Sequence, residues 1–127
     1  KGNLVMVDYK STSSAKSPSL DDEWKQSYKR QIEVYQWIFR KLGFPVSKTG
    51  YFVFANAMKN LPKFDGKLEF EMSVLSYEGN PDWVGLTLLE IRELLNSDTI
   101  PAPAHECEYC AYKQQSVQIV KSIREKQ

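Results

Sequence analysis

The sequence predicts an α/β fold in which a mixed central sheet is flanked by helices. Three observations carry that prediction: apolar runs with strand periodicity, longer stretches with helical spacing, and their order along the chain, strand, helix, strand, strand, helix, helix. With 127 residues, 42% hydrophobic and 26% charged, the chain has the size and composition of one globular domain, taken as residues 1–127. A formal charge of +1 supplies no global field toward a polyanion, so nucleic-acid binding would need a local basic patch. No apolar run approaches the length of a bilayer span and no basic-then-apolar leader opens the sequence, so no membrane partner is expected. The cysteines form a single Cys-x-x-Cys pair, which points to a reducing, cytoplasmic setting rather than a disulfide scaffold.

Leu4 to Tyr9 is the first strand, and its valines between turn residues predict that both of its faces are covered. Gly2-Asn3 has the composition of a hairpin turn, so an upstream strand is expected and the domain is expected to be truncated at its N-terminus. The small, polar run Ser11 to Ser19 is a loop. Ser19 is expected to cap the first helix, with Asp21, Asp22 and Glu23 in its first turn. Trp24, Tyr28, Ile32, Tyr35, Ile38, Phe39 and Leu42 then recur at helical spacing until Gly43 and Pro45 stop the helix. TGYFVFANA, residues 49–57, is apolar on both alternating faces, as a central strand is. KLEFEMSVLSY, residues 67–77, follows an Asp65-Gly66 turn and alternates, with Leu68, Phe70, Met72 and Val74 expected inward and Glu69, Glu71 and Ser73 outward. Asp82 to Asn96 is a second helix that should pack Trp83, Leu88, Ile91, Leu94 and Leu95 on the sheet, and Ala111 to Glu125 is the last.

The first strand ends in Asp8-Tyr9-Lys10. Residues two apart on a strand share a face, so the carboxylate and the ammonium project side by side where the apolar run stops. A carboxylate can hold a hard divalent cation, and a neighbouring ammonium can orient water and stabilise charge developing on a phosphate. A strand-end ion pair in solvent is the plainer alternative. Gln31 interrupts the apolar stripe of the first helix, four residues before Tyr35 and on its face, and a buried amide there must find partners. Lys25, Lys29 and Arg30 give the same helix a basic surface able to hold a phosphate backbone, or simply a solvated face.

In order, VDYKS, QIEVY and CEYCAY resemble the RecB-like branch of the PD-(D/E)XK nucleases, which includes CRISPR-associated exonucleases carrying an iron–sulfur cluster. The resemblance runs from about Leu4 to Ser116 and implies the C-terminal two thirds of such a nuclease domain. It implies that Asp8 is a metal ligand, with the Tyr9 main-chain carbonyl completing part of the shell, that Lys10 is the catalytic lysine, and that Gln31 and Tyr35 complete the site. The implied reaction is Mg²⁺- or Mn²⁺-dependent hydrolysis of a DNA phosphodiester; the branch includes exonucleases and enzymes of DNA repair, and the sequence does not choose between exo- and endonuclease action.

Two departures limit that transfer. The second metal-binding acid of the branch lies on a strand preceding Asp8, so this polypeptide alone is expected to be a poor enzyme. Glu33 is no substitute, because two residues along a helix turn it roughly 200° from Gln31. Cys107 and Cys110, with His105 nearby, supply half a metal site, but the third cluster cysteine would fall at Ser116. The pair is therefore expected to be a remnant, without an intact iron–sulfur cluster. The alternatives to an enzyme are a nuclease-like module that binds nucleic acid without cutting it, and a structural domain in which Asp8 and Lys10 point away from Gln31.

Overall fold

In the computed structural model, residues 2–22, 25–63 and 66–125 are described. The elements are β1 (Val7–Thr12), α1 (Gln26–Lys41), β2 (Thr49–Ala57), β3 (Phe70–Glu78), α2 (Asp82–Leu95) and α3 (Glu108–Arg124), in the predicted order. β1 pairs parallel with β2, and β2 pairs antiparallel with β3, so the sheet is mixed with β2 at its centre. Parallel neighbours require a crossover, and α1 is that crossover. The chain divides into two compact units, Lys1–Leu89 and Glu90–Gln127. The first contains the sheet and α1; the second contains α3.

α1 lies on one face of the sheet, and the core forms between them. Met6, Ile32, Phe52 and Phe54 are buried there, with Tyr28, Phe39, Leu75 and Tyr77 packed around them. Phe52 is fully enclosed, with the rings of Tyr28, Phe54 and Tyr77 all 6.3–6.4 Å away. Removing a ring of this kind costs about 3–5 kcal/mol. Gly43 closes α1 with a φ of 86°, a left-handed conformation that favours glycine, while its amide donates to the Arg40 carbonyl and the Phe44 amide to that of Phe39.

Four local expectations are corrected. β1 is covered on one face only: Met6 is buried and Asp8 and Lys10 lie on the α1 side, whereas Val5, Val7 and Tyr9 are exposed. β3 is turned the other way from the predicted alternation. Leu75 and Tyr77 pack on the core beside Phe52, while Phe70, Met72 and Val74 are exposed and Leu68 lies outside the strand. The Leu75 and Tyr77 pair outcompetes the predicted set because Leu75 stands opposite the buried Phe52 in register and Tyr77, opposite Gly50, sets its ring 6.3 Å from that of Phe52. Ser19 does not cap α1: the helix begins at Gln26, and the Ser19 hydroxyl instead accepts from the Asp21 amide at 3.1 Å. Asp21 and Asp22 precede the helix, and Glu23, Trp24 and Asp65 lie outside the described residues. α2 contributes Val84 to the buried set, while Leu88, Ile91, Leu94 and Leu95 remain exposed.

Gln36 is fully buried on α1, and its amide nitrogen donates to the Ser47 and Lys48 carbonyls at 3.2 and 2.8 Å. Its oxygen lies against Gly79, whose amide donates to the Lys48 carbonyl at 3.0 Å. A Cβ at position 79 would collide with that oxygen.

Candidate active site

The pleat of β1 puts Asp8 and Lys10 on the face that carries Met6, opposite Phe52 and Phe54 in register. Their side chains are 14% and 18% exposed, and the Lys10 ammonium stands 2.8 Å from Asp8 Oδ2. Gln31 arrives from α1 and bridges them. Its Oε1 accepts from Lys10 Nζ at 2.8 Å, and its Nε2 makes a long 3.4 Å contact with Asp8 Oδ1 and donates to the Tyr35 hydroxyl at 3.0 Å. The Lys10 ammonium also sits over the Tyr28 ring, 4.3 Å from its centre. Asp8, Lys10, Gln31 and Tyr35 are thus one connected cluster, and the helical amide is oriented by a charge on each side.

The cluster is saturated around lysine and unsaturated around aspartate. Among the described residues, Asp8 Oδ2 is buried and accepts no hydrogen bond of good direction, and its close partner is the lysine in the ion pair. A carboxylate oxygen in that condition fits a hard cation, which can replace the ammonium beside it. Tyr9 turns its side chain to the opposite face, 74% exposed, so only its main chain could serve such an ion. Among the described residues no group of three or more His, Cys, Asp or Glu could hold a metal ion. The donor set therefore suits an ion bound through one carboxylate, with waters and substrate phosphate supplying the rest, rather than an all-protein cage.

The three basic residues do not form one surface with the cluster. Lys25 is 6% exposed, and its ammonium is committed to the Ser19 carbonyl at 2.6 Å and the Asp22 carboxylate at 2.7 Å. Lys29 and Arg30 line a cavity of about 540 Å³ with Glu33, Tyr77 and Trp83, on another flank of α1. Lys29 lies two positions before Gln31, which turns it roughly 200° around the helix.

Glu33, on that flank, is the carboxylate to which no role fell in the sequence. It is 8% exposed and accepts from the Tyr77 hydroxyl at 2.6 Å, the Asn80 amide at 3.1 Å and the Trp83 indole at 2.7 Å. Burial, then the hydrogen bond to Glu33 and its charge, push the Tyr77 phenol up to about 12. Asn56 was missed as well: its buried amide holds both backbone groups of Ser14. The available signals were the polar tips of Tyr77 and Trp83, which need partners when packed, and Gln36 lying four residues after Ile32 on the core-facing stripe.

In the second unit, α3 starts earlier than predicted, so Cys107 is its N-cap residue and Cys110 lies in its first turn. Both thiols are free and half-buried. The hydrogen bond between them holds Cys107 below the ordinary thiol value and pushes Cys110 above it. The hydroxyl of Ser116 donates to the Lys113 carbonyl at 2.9 Å.

The mixed sheet with its flanking helices is consistent with a PD-(D/E)XK nuclease fold. The family model of the PD-(D/E)XK nuclease superfamily matches residues 1–115, and the chain belongs to that superfamily, whose members are generally nucleases that typically use divalent metals. No curated protein and no solved structure matches it. No helix of the described chain is long and apolar enough to cross a membrane.

Proposed function

We propose that this chain is part of the catalytic domain of a metal-dependent DNA nuclease of the RecB-like branch, with Asp8, Lys10, Gln31 and Tyr35 at its centre. The observation that carries the reading is the Gln31 amide, which ties the Asp8 carboxylate and the Lys10 ammonium into one cluster. Two charges and an amide converging beside the buried Phe52 and Phe54 carry a desolvation cost that packing alone would not require.

Asp8, with the Tyr9 carbonyl, would hold Mg²⁺ or Mn²⁺, which supplies a Lewis acid for the phosphate and makes bound water more acidic. Lys10, held by Gln31 Oε1 as well as by Asp8, would present its ammonium to phosphate oxygen and stabilise the charge that builds there. Gln31 fixes both partners, and Tyr35, 40% exposed, carries the cluster out to solvent, where a DNA strand would lie. Lys29 and Arg30 would add phosphate contacts at a distance from the chemistry. The single carboxylate at the centre favours a second reading, a module that binds DNA without cutting it.

The test is Mn²⁺ binding, read by electron paramagnetic resonance with and without DNA, beside a cleavage assay of the full-length protein in Mg²⁺ or Mn²⁺. Asp8→Asn should abolish the DNA-enhanced Mn²⁺ signal. Lys10→Ala should keep that signal and lower cleavage by about 10²–10³. Unchanged Mn²⁺ binding in Asp8→Asn would remove the metal centre, and cleavage equal in Lys10→Ala and wild type would leave only the binding module.

A further inference from the structure

Lys10 has two polar neighbours and one aromatic one. Gln31 Oε1 accepts its directed hydrogen bond at 2.8 Å, Asp8 Oδ2 stands 2.8 Å away in an ion pair of poor direction, and the ring of Tyr28 lies under the ammonium with its centre 4.3 Å from Nζ. The distance sets this last contact apart. Lys25, Lys29 and Lys41 stand 5.9, 5.8 and 5.7 Å from the ring centres of Phe54, Tyr77 and Trp37, near the limit of about 6 Å at which a ring face attracts a cation. At 4.3 Å the Lys10 ammonium rests on the face itself, and with the side chain 18% exposed little water screens the attraction.

Tyr28, Gln31 and Tyr35 are three and four residues apart, so α1 presents all three on one face. The Tyr28 ring is itself anchored, packed on the core 6.4 Å from the fully enclosed Phe52. The three neighbours of Lys10 differ in what else they do. Asp8 is the carboxylate suited to a hard cation, and Gln31 divides its amide among Lys10, Asp8 and the Tyr35 hydroxyl. A ring face attracts neither phosphate nor a hard, oxygen-seeking ion, so it is left to the lysine. An ammonium on a flexible four-carbon stem is a point charge with no direction of its own. Here a ring and an amide from successive turns of one helix supply the direction.

We propose that Tyr28 is a positioning residue of the reaction, its ring face fixing the Lys10 ammonium where charge builds on the phosphate. The proposal rests on the nuclease reading of Lys10 and goes beyond it, adding a residue that acts through the lysine.

The attraction depends on the electron density of the ring rather than its shape, so fluorination separates it from packing. In the full-length protein, Tyr28→Phe serves as the reference, and mono-, di- and trifluorinated phenylalanine are placed at the same position by codon suppression. Each fluorine weakens the ring face at nearly constant volume. Cleavage in Mg²⁺ should fall stepwise along the series, by roughly tenfold in kcat at the trifluorinated ring and with KM unchanged. A flat series marks a ring that only fills the core, and overturns the proposal. The metal-free protein gives a second readout by nuclear magnetic resonance. The Lys10 ε-methylene protons should lie upfield of those of the other lysines in wild type and in Tyr28→Phe, shifted by the ring beneath them, and should lose that shift in Tyr28→Leu. Unshifted protons in wild type overturn the proposal as well. Lys10→Ala, assayed alongside, keeps the two readings apart. A loss of cleavage there with a flat fluorine series removes Tyr28 alone, whereas cleavage equal to wild type, or none by the wild-type protein, overturns the nuclease reading of Lys10 and this proposal with it.

Discussion

Asp8 and Glu33 are two carboxylates set against the same helix, and the fold treats them in opposite ways. On the β2–β3 side of α1, Glu33 is surrounded by three neutral donors that leave neither oxygen without a partner. On the β1 side, Asp8 has a lysine, a distant amide and an oxygen without a directed hydrogen bond. Neutral donors on main chain and rings are fixed, so they fasten a carboxylate. A lysine on a flexible stem can be displaced, so it leaves a carboxylate available. The difference teaches that burial alone does not mark a functional acid: what matters is whether its partners can leave.

The contrast can be broken at the fastened end first. Glu33→Gln replaces an acceptor with a donor facing the Trp83 indole or its neighbours, and should cost about 2–3 kcal/mol of unfolding free energy, read by urea denaturation. Asp8→Asn in the same assay should cost about 1 kcal/mol or less, because Lys10 keeps Gln31 as a partner. Equal losses would mean that both acids are structural. A smaller effect is expected at the bridge. Gln31→Leu extends the apolar stripe of α1, so stability should hold, while cleavage falls about tenfold through a lysine no longer aimed. The smallest effect is a slope at alkaline pH. The Tyr77 phenol titrates at about 12 when folded, against an ordinary value of 10.0. The unfolded chain thus ionises first, and stability is complete below 10 and declines between 10 and about 12. Tyr77→Phe should flatten that decline in stability measured across this range; an equally steep decline in the variant would place its origin in other groups.

Much of this was legible in the sequence, and what was not has a physical cause. Strand and helix order followed from hydrophobic period, and Asp8, Lys10, Gln31 and Tyr35 could be singled out because each is a polar group placed on an apolar face. The facing of β3 was not legible, since Phe70-Glu71-Met72-Ser73-Val74-Leu75 offers an apolar residue to either side and only the register with β2 decides between them. Nor was the burial of Lys25, Glu33, Gln36 and Asn56. Composition assigns such residues to solvent, and their partners, at Ser14, Ser19, Ser47, Lys48, Tyr77 and Trp83, are mostly distant in sequence and assembled only by the fold.

The meeting of Gln36 and Gly79 has a consequence for how such a chain can diverge. The amide at 36 occupies the space that any side chain at 79 would need, so the earlier residue dictates the later one across a gap that no local pattern spans. A lineage that keeps the glutamine can take a side chain at 79 only by pushing the end of that amide aside and off its carbonyl partners, whereas a smaller residue at 36 leaves the glycine unopposed.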